Sequence, residues 1–236
     1  MTPEALAEAM EQTWPPARSF EAGPWCLRDG QGGGKRVSAA TARPGWRDED
    51  IPAAEAAMAA MGQPPLFCIR AGDDLLDQAL QARGYRVVDP VLAYGAACAD
   101  LALPPAPPMA AFAHWPPLAI CAEIWEEGGI SPARLAVMQR ATGPKCAVLG
   151  RVADRPAGVA FVAIHQDIAL LHALEVRPQM RRQGSAHNIL RAAAGWAQQN
   201  GATQLCLAVT VANTGARKLY ASLNMQIVGE YHYRQR

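Results

Sequence analysis

The sequence predicts an α/β protein of the α+β kind: a mixed, mainly antiparallel central sheet flanked by helices and assembled from two similar halves. Three observations carry that expectation. Residues 146–152, 158–164 and 168–176 are apolar or β-branched runs separated only by Asp154-Arg155-Pro156 and His165-Gln166-Asp167, the pattern of an antiparallel meander. The apolar period then lengthens to that of a helix over 184–200 before residues 205–209 return to strand, which makes a strand-helix-strand crossover. Finally, the order 67–70, 76–84, 86–94 echoes 205–209, 216–224, 227–233 and suggests an internal repeat.

Taken in order, Thr2 can cap a first helix over 2–13, with Pro3 at a first-turn position and Ala5, Leu6, Ala9 and Met10 on one face. Short strands are expected at 25–27 and 36–42, on either side of a glycine-rich turn read as a flexible hairpin loop able to cover a substrate pocket. Asp48 or Asp50 starts a helix through Ala54 to Met61, residues 66–70 form a strand, and Asp73 opens a helix that stops at Gly84. Residues 86–94 close the first half as a strand. Pro104, Pro105, Pro107, Pro108, Pro116 and Pro117 forbid a regular helix, so 104–117 reads as a linker between domains at 1–103 and 118–236. Helices follow at 118–125 and 132–140, the second capped by Ser131 with Pro132 in its first turn. After the meander come the helix at 184–200, the strand at 205–209, a helix over 214–223 and a last strand over 227–233.

With 236 residues, half of them hydrophobic and 18% charged, the chain can bury a substantial core. Its 22 Lys and Arg against 21 Asp and Glu leave a net charge of +1, no general attraction to nucleic acid or an anionic membrane, and no RNA-binding spacing of aromatics appears. Six scattered cysteines without a CxxC pair indicate reduced thiols rather than a zinc site or disulfide framework. No metal is expected. Apolar runs are too short to span a bilayer and no secretory pattern opens the sequence, so a soluble, cytoplasmic protein is expected.

Chemistry concentrates in Leu174-Glu175-Val176-Arg177-Pro178-Gln179-Met180-Arg181-Arg182-Gln183-Gly184-Ser185-Ala186, which joins a strand to the long helix. Its centre has the form Arg-x-x-Gly-x-Ala. A helix N-terminus offers unpaired N–H groups and a positive dipole end, and glycine admits a phosphate to the main chain. Taken alone, the segment reads equally as an exposed basic turn. Downstream lies Asn213-Thr214-Gly215-Ala216-Arg217-Lys218-Leu219-Tyr220-Ala221-Ser222-Leu223-Asn224-Met225.

Together these segments resemble the GNAT acetyltransferase superfamily, with its strand ending in Val-x-Pro, its Arg/Gln-x-x-Gly-x-Gly/Ala loop and its Asn-x-x-Ala-x-x-Leu-Tyr segment. The likeness spans the second half of the chain; Asn224 and Met225 stand where the family usually has Gly and Phe. The resemblance implies the GNAT fold and direct transfer of an acetyl group from the cosubstrate acetyl-CoA to a small-molecule amine or a peptide or protein amine. It further implies that main-chain groups of Leu174 and Val176 pair with the pantetheine amides. The N–H groups at Arg182, Gln183, Gly184, Ser185 and Ala186 would then hold the diphosphate, with the charges of Arg181 and Arg182 and the His187 ring beside them. Asn213 would approach the pantetheine arm, and Tyr220 would protonate the departing thiolate.

Glu175 is preferred as general base over His172, and strict strand alternation would put the two on opposite faces. Trp125, Glu126 and Glu127 are candidates to meet a cationic amine. The first half, by the same resemblance, is a GNAT-like copy without the phosphate loop and without the tyrosine, which leaves one active site per chain. A homodimer is admitted as the assembly. The competing reading is a non-catalytic acyl-CoA sensor or an interaction module on the same fold. Gly30-Gln31-Gly32-Gly33-Gly34-Lys35-Arg36 is excluded as a phosphate loop, because Asp29 and Arg36 occupy positions that need Gly and Ser or Thr.

Overall fold

A computed structural model describes every residue from Met1 to Arg236. The meander forms as expected from β7 (Lys145–Val152), β8 (Arg155–His165) and β9 (Ile168–Val176), joined by tight turns with left-handed residues at Ala153, Asp154 and Gln166. Helix α7 (Ser185–Gln199) then crosses over to β10 (Gln204–Thr210), which runs parallel to β9. Its buried stripe of Ile189, Leu190, Ala193, Ala194 and Ala197 packs on Val148, Ala160 and Val162 of the sheet. α8 (Thr214–Ser222) and β11 (Gln226–Gln235) complete this half, with Asn224 in the left-handed conformation that closes the helix.

The first half contains α1 (Pro3–Thr13), β1 (Arg18–Ala22), β2 (Trp25–Asp29), β3 (Thr41–Ala42), α2 (Ile51–Ala60), β4 (Leu66–Arg70), α3 (Asp74–Ala82), β5 (Arg86–Ala97) and the single-turn α4 (Cys98–Leu101). Thr2 caps α1 through Ala5 N–H at 3.2 Å. Two expectations change here. Strand β1 was not foreseen, because Arg18-Ser19-Phe20-Glu21-Ala22 is a largely exposed edge without an apolar alternation. The strand expected over 36–42 shrinks to Thr41–Ala42: Gly34 turns the backbone at φ +102°, and Lys35–Val37 becomes a 3-10 turn.

Between the halves lie β6 (Ala111–His114), α5 (Ala119–Glu127) and α6 (Pro132–Arg140). The proline-rich segment is thus more than a linker, since its Ala111–His114 pairs with β7 as the sheet's edge.

One eight-stranded sheet runs β4-β11-β5-β10-β9-β8-β7-β6. Within it the halves exchange their last strands: β10 of the second half pairs with β5 of the first, while β4 of the first pairs with β11 of the second. The two pairings share one register offset. Matching Gly84 to Asn224, the left-handed residues that end α3 and α8, places Leu66 on Cys206 and Gln235 on Gly95; Leu66 pairs with Gln235 as Cys206 pairs with Gly95. Even the parallel contact is repeated, as the bridge Ala40 to Phe67 beside β4 answers β9 beside β10. Asp77 of α3 clasps the exchanged strand, accepting from Arg234 Nε at 2.6 Å and Nη2 at 2.8 Å and lying 2.7 Å from His232 Nε2.

Two features of β9 position the site. Its ladder with β10 ends at Leu171 and Leu207, after which the strands splay apart. A bulge also sits on the β8 side, where Ala173 (φ +50°) and Leu174 both face the one residue between Val159 and Phe161. That extra residue flips the alternation. His172 pairs with Phe161 and Glu175 with Val159, so the two side chains share a face, contrary to the expectation from strict alternation.

Candidate active site

The splay between β9 and β10 opens a cavity of about 520 Å³ lined by His172, Ala173, Leu174, Glu175, Leu207, Asn213 and Tyr220 from the second half. Trp14, the Gly33-Gly34-Lys35-Arg36 turn, Tyr231 and Tyr233 close it from the other side.

Past Val176 the chain enters the phosphate-type loop. Arg177 pins its root, with guanidinium donors 2.7 and 2.8 Å from the Glu127 carboxylate. Arg181 Nε–H donates to the Val176 carbonyl at 3.1 Å, so that carbonyl already has one partner. Arg182 (φ +62°) and Gly184 (φ +82°) are left-handed, which turns successive N–H groups toward one concavity. The main-chain N–H groups from Arg182 through His187 donate to no acceptor in the protein. A Cβ at Gly184 would touch nothing within 4 Å, so glycine is demanded there by backbone angle and by the open space it leaves at the helix start. Ser185 adds a buried Oγ without a partner. His187 lies 3.3 Å from Ser222 Oγ, and burial, with Arg191 and Arg182 nearby, lowers its pKa.

Asn213 caps α8, its Oδ1 accepting from Ala216 N–H at 3.0 Å, which leaves its amide donors for a ligand. Tyr220 is buried against Tyr94, ring centroids 5.5 Å apart, and its hydroxyl has no protein partner. Burial, reinforced by Tyr94, pushes its phenol above the usual range, so it is protonated at neutral pH.

His172 and Glu175 play different parts. The His172 Nδ1 faces Arg36 Nη1 at 3.1 Å, and its Nε2 faces Thr13 Oγ1 at 3.0 Å. Arg36 can only donate and Thr13 gives its own proton to the Ala9 carbonyl at 2.6 Å, so the network assigns the imidazole proton to Nε2. Burial, together with Arg36 and Arg134, drives the His172 pKa well below its ordinary value. The ring is neutral and fully engaged, with no lone pair left for a substrate. Glu175 has no hydrogen-bonding partner, and burial raises its pKa against the opposing pull of Arg181 and Arg134. Its side chain packs over Gly128 at the end of α5, where a Cβ would come within 2.6 Å of Glu175 Cγ.

Other expectations are corrected. Trp125 is fully buried and donates from Nε1 to the Ala173 carbonyl at 2.8 Å, bracing the bulge, while Glu127 is taken by Arg177. Neither these two nor Glu126 lines the cavity. The Gly30–Arg36 segment does line the cavity, yet it is held rather than free: Gly33 N–H donates to Gly30 at 2.8 Å, Arg140 bonds Gln31 at 3.2 Å, and a Cβ at Gly33 would strike Val137 at 2.6 Å. Sequence reasoning missed Arg36, Arg134 and Trp14 as lining residues. The only signals were that Arg36 follows a glycine cluster and that Arg134 lies in a helix before the meander.

Residues 108–225 match the model of the acetyltransferase (GNAT) family. A Bacillus subtilis protein, YobR, described as an uncharacterised N-acetyltransferase, is 26% identical over 98% of this chain and 96% of its own. The fold is shared with a GCN5-related N-acetyltransferase from Kribbella flavida (TM-score 0.73, 21% identity, 98% of this chain and 94% of that one). It is also shared with a tandem GNAT protein from the clavulanic acid biosynthesis pathway (TM-score 0.62, 14% identity, 96% and 86%). With the family's segment spanning the splay, the loop and Tyr220, this chain belongs to the GNAT acetyltransferase family.

Proposed function

We propose that the protein is an N-acetyltransferase that moves an acetyl group from acetyl-CoA to a primary amine by direct attack in a ternary complex. One observation carries the reading: the unpaired N–H groups from Arg182 through His187 follow directly on β9, the strand whose splay from β10 opens the cavity that Tyr220 lines. Acetyl-CoA supplies the activated thioester. The N–H groups of the loop receive its diphosphate, and the backbone of Leu174 and Val176 receives the pantetheine amides, with the Asn213 amide beside them. The bulge at Ala173 and Leu174 presents main chain where the acetyl oxygen gains charge.

Glu175 takes the proton of the attacking amine, the new N–C bond forms as C–S breaks, and Tyr220 returns a proton to the sulfur. Burial keeps the phenol protonated, as a donor must be, and raises the Glu175 pKa, which makes its carboxylate a stronger base once ionised. The reciprocal strand exchange supports a tandem of GNAT-like halves, 1–103 and 118–236, joined through 104–117 and sharing one active site. A sensor that binds acyl-CoA without turnover has no use for a phenol at the thiolate position, which favours catalysis.

Calorimetric titration with CoA, followed by a thiol-release assay over a panel of amines, tests the proposal. Saturable CoA binding and amine-dependent thiol release are expected. Binding without amine-dependent release returns the sensor reading, and failure to saturate removes the cofactor assignment.

A further inference from the structure

Two guanidinium groups face the acceptor side of the cavity without a carboxylate partner. Arg36 and Arg134 both line it, neither forms an ion pair, and the Nε of each is buried without a hydrogen-bond partner. They flank one aromatic platform. Trp14 packs on the His172 ring at 4.9 Å between centroids; Arg36 bonds that imidazole at 3.1 Å, while Arg134 lies over the Trp14 ring at 5.8 Å. The pair is close enough that each cation bears on its surroundings: Arg36 lowers the Arg134 pKa, second only to burial, and both lower that of His172. Lys35 shares the wall, but its ammonium is neutralised by Asp89 at 2.8 Å.

Partly buried cations without a paired counter-charge are costly, and a fold that keeps two of them lining a cavity, each with its Nε buried and unpartnered, stores a demand for an anion. The diphosphate loop does not answer it. None of the loop residues from Arg177 to His187 lines the cavity beside Arg36 and Arg134, and the loop begins only beyond Val176, four residues past His172. Glu175 faces the same cavity and feels Arg134 without forming an ion pair with it, so a cationic wall and a carboxylate lie side by side.

We infer that the acceptor is an amine that itself carries an oxyanion, a carboxylate or phosphate, held by Arg36 and Arg134 while its amino group turns to Glu175 and the thioester. Arg36 is fixed in place by His172, whose Nδ1 lone pair has no other task, and the Tyr231 and Tyr233 hydroxyls face the same guanidinium. Polycationic amines are repelled by this wall. The inference rests on the acetyl-transfer reading above, and its test separates the two.

With CoA binding checked first by calorimetry, thiol release is measured for matched pairs: α-amino acids against their carboxamides, and phosphoethanolamine against ethanolamine, with spermidine as the polycation. The anionic member of a pair is expected to exceed its neutral partner about ten-fold or more in kcat/KM, through KM. Arg134→Gln is expected to erase most of that preference while leaving CoA affinity unchanged. The two pairs tell carboxylate from phosphate. Equal use of neutral and anionic partners, or preference for spermidine, overturns the inference and leaves acetyl transfer intact.

If no amine in the panel is turned over, thermal melting decides. With the loop saturated by CoA, sulfate is expected to raise the melting temperature of the wild type, against sodium chloride of equal ionic strength, and not that of Arg134→Gln. Equal shifts in both proteins refute the anion site.

Discussion

Replacing Tyr220 by Phe separates chemistry from structure with unusual clarity at this site. The phenol oxygen has no hydrogen-bond partner in the protein, whereas the ring packs against Tyr94 at 5.5 Å within the main core. Phe keeps the ring and removes only the oxygen, so stability should change by less than about 1 kcal/mol, there being no internal hydrogen bond to lose. Proton donation to a leaving thiolate contributes roughly 10²- to 10⁴-fold, about 3 to 5 kcal/mol of barrier. Single-turnover thiol release with acetyl-CoA and an accepted amine should fall by that factor, with the Kd for CoA and the melting temperature almost unmoved. Because burial holds the phenol above its ordinary value of 10.0, the wild-type rate should show no descending limb from this group below pH 10. Unchanged turnover in the variant refutes the donor role, and a parallel collapse of CoA affinity and melting temperature shows that the hydroxyl was structural.

Three further outcomes are expected. Gly184→Glu, which forces a side chain into φ +82° and sets a carboxylate against the N–H groups of the loop, should weaken CoA binding about ten-fold or more by calorimetry, with secondary structure preserved by circular dichroism. Glu175 must be ionised to act, and burial raises its pKa, so kcat/KM should climb with pH through a limb lying above the ordinary glutamate range of 4.5; Glu175→Gln should lower turnover about 10²-fold and abolish that limb. Asp77 is held at about 2 against an ordinary 3.8, chiefly by its hydrogen bonds to Arg234, so it stabilises the fold above 3.8 and ceases to as pH falls toward 2; Asp77→Ala should cost about 1 kcal/mol at neutral pH in urea melts, with the gap to wild type closing over that acid window.

The second half was legible because its signals are local. A turn of Asp154-Arg155-Pro156, a period change after Gly184 and a stop at Asn224 each act within a few residues, and the loop and Tyr220 motifs fall on those boundaries. What escaped depends on distant pairing. No local pattern marks the bulge at Ala173, which arises where β8 and β9 must accommodate an extra residue and which alone puts His172 and Glu175 on one face. Arg36 and Arg134 are remote in sequence and meet only across Trp14 and His172, so nothing at either position announces the other. The pairing of β5 with β10 and of β11 with β4 was not legible either, since each strand has the same composition whichever neighbour it takes.

That exchange bears on how the polypeptide is made. β4 has no partner from its own half on the side that β11 will occupy, and β11 follows the other strands of the sheet in chain order. Until then the early portion carries an open β edge, the kind of surface that recruits a neighbouring nascent chain. β11 is therefore the seal on the first strand of the eight-stranded sheet, and removing it would bare the edge of β4 in the early portion of the molecule.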